Sequence, residues 1–194
     1  MKYIYLFLLI IFNSLTVFSQ EFDTIPMQTV FINNFCLGDN INQLEKVFGK
    51  PTEIKYNVID NAVENTEPSK NIYFYDSNFF SEPYEVSKGK IGEFNIRSDS
   101  YNMKLIIIMS NDTLVFKIGD RLNLNDIEEY FPSSIECSRN YFSESKIKNG
   151  YAFITLKLSQ QDEYFEYPYL LINSLNLSYK DSTLSSITTN YYKE

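Results

Sequence analysis

Leu37-Gly38-Asp39-Asn40-Ile41-Asn42-Gln43-Leu44-Glu45-Lys46-Val47-Phe48-Gly49-Lys50-Pro51 is the stretch that organises the chain, because a second stretch repeats it. Ile118-Gly119-Asp120-Arg121-Leu122-Asn123-Leu124-Asn125-Asp126-Ile127-Glu128-Glu129-Tyr130-Phe131-Pro132 has the same Gly-Asp opening, a matching asparagine (Asn42, Asn123) and the same closing proline, each displaced by 81 residues. Ile54 and Ile135 keep that displacement. An internal duplication of this kind bears first on architecture.

Each copy opens a helix. Asn42 is placed to cap it with Glu45 three residues on, and Asn123 with Asp126; in the first copy Asn40 with Gln43 is a competing cap. Ile41, Leu44, Val47 and Phe48 then share one helical face, as Leu122, Ile127, Tyr130 and Phe131 do with some slippage. Pro51 and Pro132 end the two helices, since proline cannot continue the hydrogen-bond ladder. Gly38-Asp39 and Gly119-Asp120 read as tight strand-to-helix turns whose aspartates favour the positive helix end, or alternatively as loops that touch a ligand.

Around these helices the pattern turns to β. Met27 to Phe35 reads as one short strand leading into the first copy. Strands follow near Ile54–Val58, Ile72–Tyr75, Glu93–Arg97, Met103–Met109 and Thr113–Lys117, with a hairpin turn at Ser110-Asn111-Asp112. The second half offers Glu136–Phe142, Tyr151–Leu158, Tyr164–Ile172, Leu175–Tyr179 and Leu184–Thr189, with turns at Asn149-Gly150 and Lys180-Asp181-Ser182. Asp60 to Lys70 is polar and reads as a mobile loop. The fold class is α+β: two tandem repeats, residues 20–116 and 117–194, each a short helix followed by an antiparallel β-meander. One sheet continuous across both halves is the expectation, and two separate small sheets are the alternative.

Gly38, Leu44, Gly49 and Pro51 read as G-x5-[LV]-x4-G-x-P. This resembles the helix opening of the beta-lactamase inhibitory protein family and of the small outer-membrane assembly lipoproteins (SmpA/OmlA). The resemblance implies a helical unit packed on an antiparallel sheet, used twice as in the inhibitors, and a bacterial cell-envelope setting. It carries over no target and no inhibitory residues. The chain departs from both families: no cysteine follows its N-terminal apolar run, each half holds one cysteine, and Tyr130 stands where Gly49 is repeated.

Residues 1–19 read as a secretory signal peptide. Lys2 gives a positive start, Tyr3 to Phe12 is apolar, and Val17-Phe18-Ser19 suits cleavage before Gln20. The run falls short of the ~20 apolar residues of a spanning helix, and no later segment supplies them. The protein is therefore expected to be exported, periplasmic or extracellular, with no integral span once the leader is removed. Losing Lys2 leaves 25 acidic against 16 basic residues and takes the net charge from −8 to −9. Such a body repels phosphate backbones, so nucleic acid is not an expected partner.

Histidine is absent. That removes Ser-His-Asp and Cys-His nucleophile systems and the commonest zinc ligand. No catalytic, cofactor or metal residues are assigned. Glu128-Glu129 and Asp162-Glu163 fit a solvated surface better than a glycosidase pair, and the oxygen-rich Asp120–Asp126 segment lacks the spacing of a calcium loop. Cys36 and Cys137 are the only cysteines. After export they either form a disulfide contributing roughly 3–5 kcal/mol or remain two separate buried thiols.

The 16 tyrosines and 16 phenylalanines leave aromatic surface as the main functional candidate. Tyr73 and Tyr75 share a strand face opposite Phe74, and Tyr167 and Tyr169 share a face with Phe165. With phenylalanines turned to the core, Tyr73 and Tyr75 form an exposed belt, and Tyr73, Tyr75, Tyr167 and Tyr169 become a protein-binding surface. The alternative is that these tyrosines merely cover the sheet with wet hydroxyls. The leading functional expectation is a non-enzymatic binding or inhibitor-like module whose partner is another protein. An envelope assembly or scaffold protein comes second, and a carboxylate-based glycan hydrolase third.

Overall fold

The computed structural model describes residues 22–58, 70–82, 89–121, 124–135, 151–159 and 171–193. The strands are β1 (Thr24–Pro26), β2 (Val30–Ile32), β3 (Phe35–Cys36), β4 (Glu53–Val58), β5 (Lys70–Tyr75), β6 (Asn78–Ser81), β7 (Glu93–Ile96), β8 (Lys104–Ile108), β9 (Thr113–Lys117), β10 (Tyr151–Ser159), β11 (Leu171–Lys180) and β12 (Thr183–Lys193). The helices are α1 (Asn42–Phe48) and α2 (Leu124–Tyr130). The class is mixed α and β with strands dominant. Among the described residues no helix is long and apolar enough to cross a membrane.

The strands form two sheets. The larger has eight strands in the order β1-β10-β11-β12-β7-β6-β5-β4, and so takes strands from both segments of the chain. The smaller, β3-β2-β8-β9, uses only strands from the first. The expected single sheet is thus accompanied by a second one, because β8 and β9 leave the meander and pair with β2. Apolar residues alternate along these strands, so one face of each sheet is buried. Ile154, Leu177, Ile187 and Ile96 line up in register across four strands, and all are buried. They meet Val30, Ile32, Leu105 and Ile107 of the smaller sheet in one core.

The two helices are pinned through i,i+4 pairs: Leu44 and Phe48 of α1, and Ile127 followed by Phe131 at the end of α2, are buried. Val47, expected on the buried face, is 56% exposed. Asn42 is the first helical residue rather than the cap. Ile41 holds the cap position without a side-chain cap bond, and Asn40 Oδ1, just before it, accepts the Asn42 backbone N–H at 2.9 Å. Pro51 follows the end of α1, but Pro132 begins a further helical turn over 132–135, closed by Ile135 N–H to the Phe131 carbonyl at 3.1 Å. Proline is tolerated there because a first helical residue has no intrahelical use for its N–H.

Several boundaries differ from the sequence reading. Met27 to Phe35 is a 3-10 turn and a two-strand hairpin, reversed at Asn33 with φ 53°. The segment expected as two strands ending at Ile172 and starting at Leu175 runs on as β11. β1 and β6 were not expected. The expected strand 136–142, the turn 149–150, the loop residues 60–69, and Leu122 and Asn123 lie outside the described residues.

Candidate functional site

The two Gly-Asp turns have matching geometry. Gly38 and Gly119 adopt φ 90° and 95°, in the left-handed region that glycine enters without strain. Asp39 and Asp120 do not face the helix ends. Each carboxylate turns back and accepts the backbone N–H three residues earlier: Cys36 N–H to Asp39 Oδ2 at 2.9 Å, and Lys117 N–H to Asp120 Oδ2 at 2.6 Å. Each turn also exchanges two backbone bonds with a distant strand. Gly38 N–H reaches the Ile91 carbonyl and Ile91 N–H the Asp39 carbonyl, both at 2.7 Å. Gly119 N–H reaches the Leu184 carbonyl at 2.9 Å and Leu184 N–H the Asp120 carbonyl at 2.8 Å.

The tyrosine belt is corrected in part. The alternation along β5 holds, but its inside and outside are exchanged. Tyr75 is 1% exposed, with its ring edge-on to Phe48 at 5.6 Å and to Phe80 at 6.1 Å. Burial, ahead of the Glu45 carboxylate, pushes its phenol up to about 12. Tyr73 is half-buried against the core, and its hydroxyl reaches Glu82 Oε1 at 3.5 Å. Burial raises its pKa, with the Glu82 carboxylate adding to the shift. Glu82 is itself buried and ties together a chain crossing, accepting Asn71 Nδ2–H at 2.6 Å and Gly89 N–H at 3.0 Å. Tyr167 and Tyr169 lie outside the described residues, as do Cys137 and the Asp162-Glu163 pair.

Phe74 and Phe79 face the other way. They stand opposite each other in register with ring centroids 5.9 Å apart, and Lys55 Nζ lies 4.9 Å over the Phe74 ring. They belong to one row that crosses the sheet: Thr155, Asn176, Thr188, Asn95, Phe79, Phe74 and Glu53, each registered on the next. No member of this row belongs to the apolar core. Thr155 Oγ1 donates to Asn176 Oδ1 at 2.7 Å, and Arg97 Nε–H to Asn95 Oδ1 at 3.0 Å. Beside the row, Lys70 pairs with Glu93 at 2.9 Å and Ser81 Oγ donates to the same carboxylate oxygen at 3.2 Å. This face therefore carries an ordered strip of amides and hydroxyls with an aromatic, cation-capped end; Asn95 at its middle is 5% exposed, and Lys70 and Ser81 beside it are buried.

Among the described residues Cys36 is a free thiol. It sits on the outer face of the smaller sheet in register with Phe31. Burial, followed by the charge of Asp39 and a hydrogen bond from the thiol to it, pushes its pKa up to about 11, so the reactive thiolate is scarce at neutral pH. Among the described residues no three His, Cys, Asp or Glu side chains gather as a metal site requires. Glu129 is exposed on α2 beside the half-exposed Glu128.

The outer row escaped the sequence reading because its members come from seven strands. The only local signal was the Phe74–Phe79 pair flanking the Asp76-Ser77 turn. In comparisons with known proteins, no family model, curated protein or solved structure matches this chain.

Proposed function

We propose that the protein is an exported, non-enzymatic module that binds another protein, periplasmic or extracellular, through the outer face of its eight-stranded sheet. The observation that carries this reading is the seven-residue row. A half-buried aromatic pair with a cation above it is the kind of anchor on which interface energy concentrates. The half-buried Thr155, Asn176 and Thr188 of the same row supply directional contacts. The leader and the absence of histidine support export and a binding role.

The architecture we propose is two copies of one unit joined back to back. The matched Gly-Asp turns support it. So does the seam between β7 and β12, where Ile96 pairs with Ile187 and Asn95 with Thr188. Ile91 and Leu184 hold equivalent places against the turns, so Phe94 corresponds to Ile187 and Ile96 to Thr189. The observed pairing is the one a local two-fold axis would produce. Such duplication doubles the width of the sheet face offered to a partner.

The test is capture from native envelope and culture supernatant with residues 20–194, beside a Phe74→Ala/Phe79→Ala variant and a Tyr75→Phe control. Saturable capture that the double variant loses and Tyr75→Phe keeps is the expected outcome. A partner retained equally by all three proteins overturns this surface, and no partner above background overturns the binding role.

A further inference from the structure

A cavity of about 350 Å³ lies between the edge strand β9, the Asp120–Arg121 turn, α2 and Tyr179 of β11. Its walls are apolar: Leu114 and Phe116 from β9, Ile127 and the Tyr130 ring from α2. Two polar features break that lining. The first is Tyr179, which is 2% exposed and whose hydroxyl has no hydrogen-bond partner among the described residues. Buried hydroxyls are nearly always bonded, so an orphan on a residue that lines a cavity marks the place of a missing acceptor. The second is Arg121, which has no ion-pair partner among the described residues.

The other polar groups are engaged. The Tyr130 hydroxyl donates to Asp112, and Asp120 Oδ2 accepts from Lys117 N–H. The donors without a partner among the described residues are thus two, the phenol O–H and the guanidinium. Burial, with the Asp120 carboxylate adding, raises the Tyr179 pKa, so the phenol stays a donor throughout the neutral range.

We propose that this cavity binds a small monocarboxylic acid with an apolar body, its carboxylate accepting from Tyr179 and Arg121 and its body lying against Leu114, Phe116, Ile127 and Tyr130. The volume suits about a dozen heavy atoms. A guanidinium with a neutral hydroxyl matches one carboxylate through charge-assisted bonds. Asp120 at the mouth opposes any negative charge; Arg121 beside it offsets that charge for one carboxylate, and a second carboxylate has no such offset, so dicarboxylates are disfavoured. The site is separate from the outer sheet face and does not depend on the protein-binding reading.

The experiment is calorimetric titration of residues 20–194 with 3-phenylpropanoate, 3-phenylpropanol, 3-phenylpropylamine and phenylsuccinate. The carboxylate is expected to bind saturably, the alcohol about tenfold more weakly, and the amine and dianion not at all. Arg121→Gln, at an exposed position, and Tyr179→Phe are each expected to weaken the carboxylate about tenfold without lowering alcohol affinity. Leu114→Trp, which fills the cavity, is expected to abolish binding of both. Equal binding of amine and acid, an unchanged affinity in Arg121→Gln, or no binding of any probe overturns the proposal.

Discussion

Asp39 and Asp120 stand in the same relation to their own backbones: each closes a ring onto the N–H three residues before it, at the mouth of a glycine turn. The contact holds the turn against its distant strand, so its loss loosens both. Asp39→Ala and Asp120→Ala are each expected to cost about 1 kcal/mol in urea unfolding, and the asparagine variants, which keep an acceptor, less. Gly119→Ala separates backbone strain from crowding, because a Cβ there meets nothing within 4 Å at φ 95°. Its expected cost is also about 1 kcal/mol. A neutral result at Asp39 and Asp120 shows the turns to be held by other contacts.

Phe48 is the aromatic hub of the first segment. Its ring meets Phe35, Tyr75, Phe80 and Tyr101 with centroids 5.5 to 6.2 Å away. Phe48→Ala is expected to destabilise by about 3–5 kcal/mol, through lost transfer energy and the cavity left behind. Phe48→Leu is expected to cost less than half of that. A Phe48→Ala loss below ~1 kcal/mol in chemical denaturation contradicts the packing.

Lys70 and Glu93 form an ion pair with side chains only 8% and 17% exposed. Removing one partner leaves a desolvated charge. Lys70→Met is expected to cost about 3 kcal/mol, and Lys70→Met/Glu93→Leu less than that single change. A double-mutant cycle read by thermal unfolding measures this coupling. Additive losses place the pair in effectively aqueous surroundings.

Stability is expected to fall on the alkaline side. The Tyr75 phenol rises from 10.0 to about 12 in the folded protein. Below pH 10 both folded and unfolded states keep this proton. Between pH 10 and 12 the unfolded chain releases it first, so this contribution to stability is lost as pH climbs through that window. Tyr75→Phe is expected to flatten the slope of unfolding free energy against pH there and leave the slope at pH 7–9 unchanged. Equal slopes in both proteins refute the assignment.

Local chemistry was well read from the sequence, and burial was not. Thr113–Lys117 and the reversal at Asp112 follow from side-chain alternation and turn residues. The opposition of Tyr75 to Phe74 follows from strand period alone. Which of the two faces inward is decided by Phe48, Phe80 and Tyr101, which reach Tyr75 from other elements. Phenylalanine is more apolar than tyrosine, yet Phe74 lies on the outer face, because the register that buries Phe80 and Phe94 also turns Tyr75 inward. β6 was missed because its entry turn, Asp76-Ser77, holds no glycine; Asp76 adopts φ 53° itself. The Tyr179 cavity unites β9, α2 and β11, and no local pattern marks it.

β1 pairs in parallel with β10, placing Thr24 beside Lys157. Asp23 reinforces the junction, exchanging hydrogen bonds with Ser134 across 111 residues at 2.9 and 2.7 Å. The first strand among the described residues is thus among the last that can be placed. A chain synthesised N-terminus first must hold residues 22–26 unpaired until β10 has followed. Contacts of such separation slow folding and lengthen exposure of unpaired edges. Deleting residues 20–26 is therefore expected to speed the collapse of the remaining chain while leaving β10 as an open, association-prone edge.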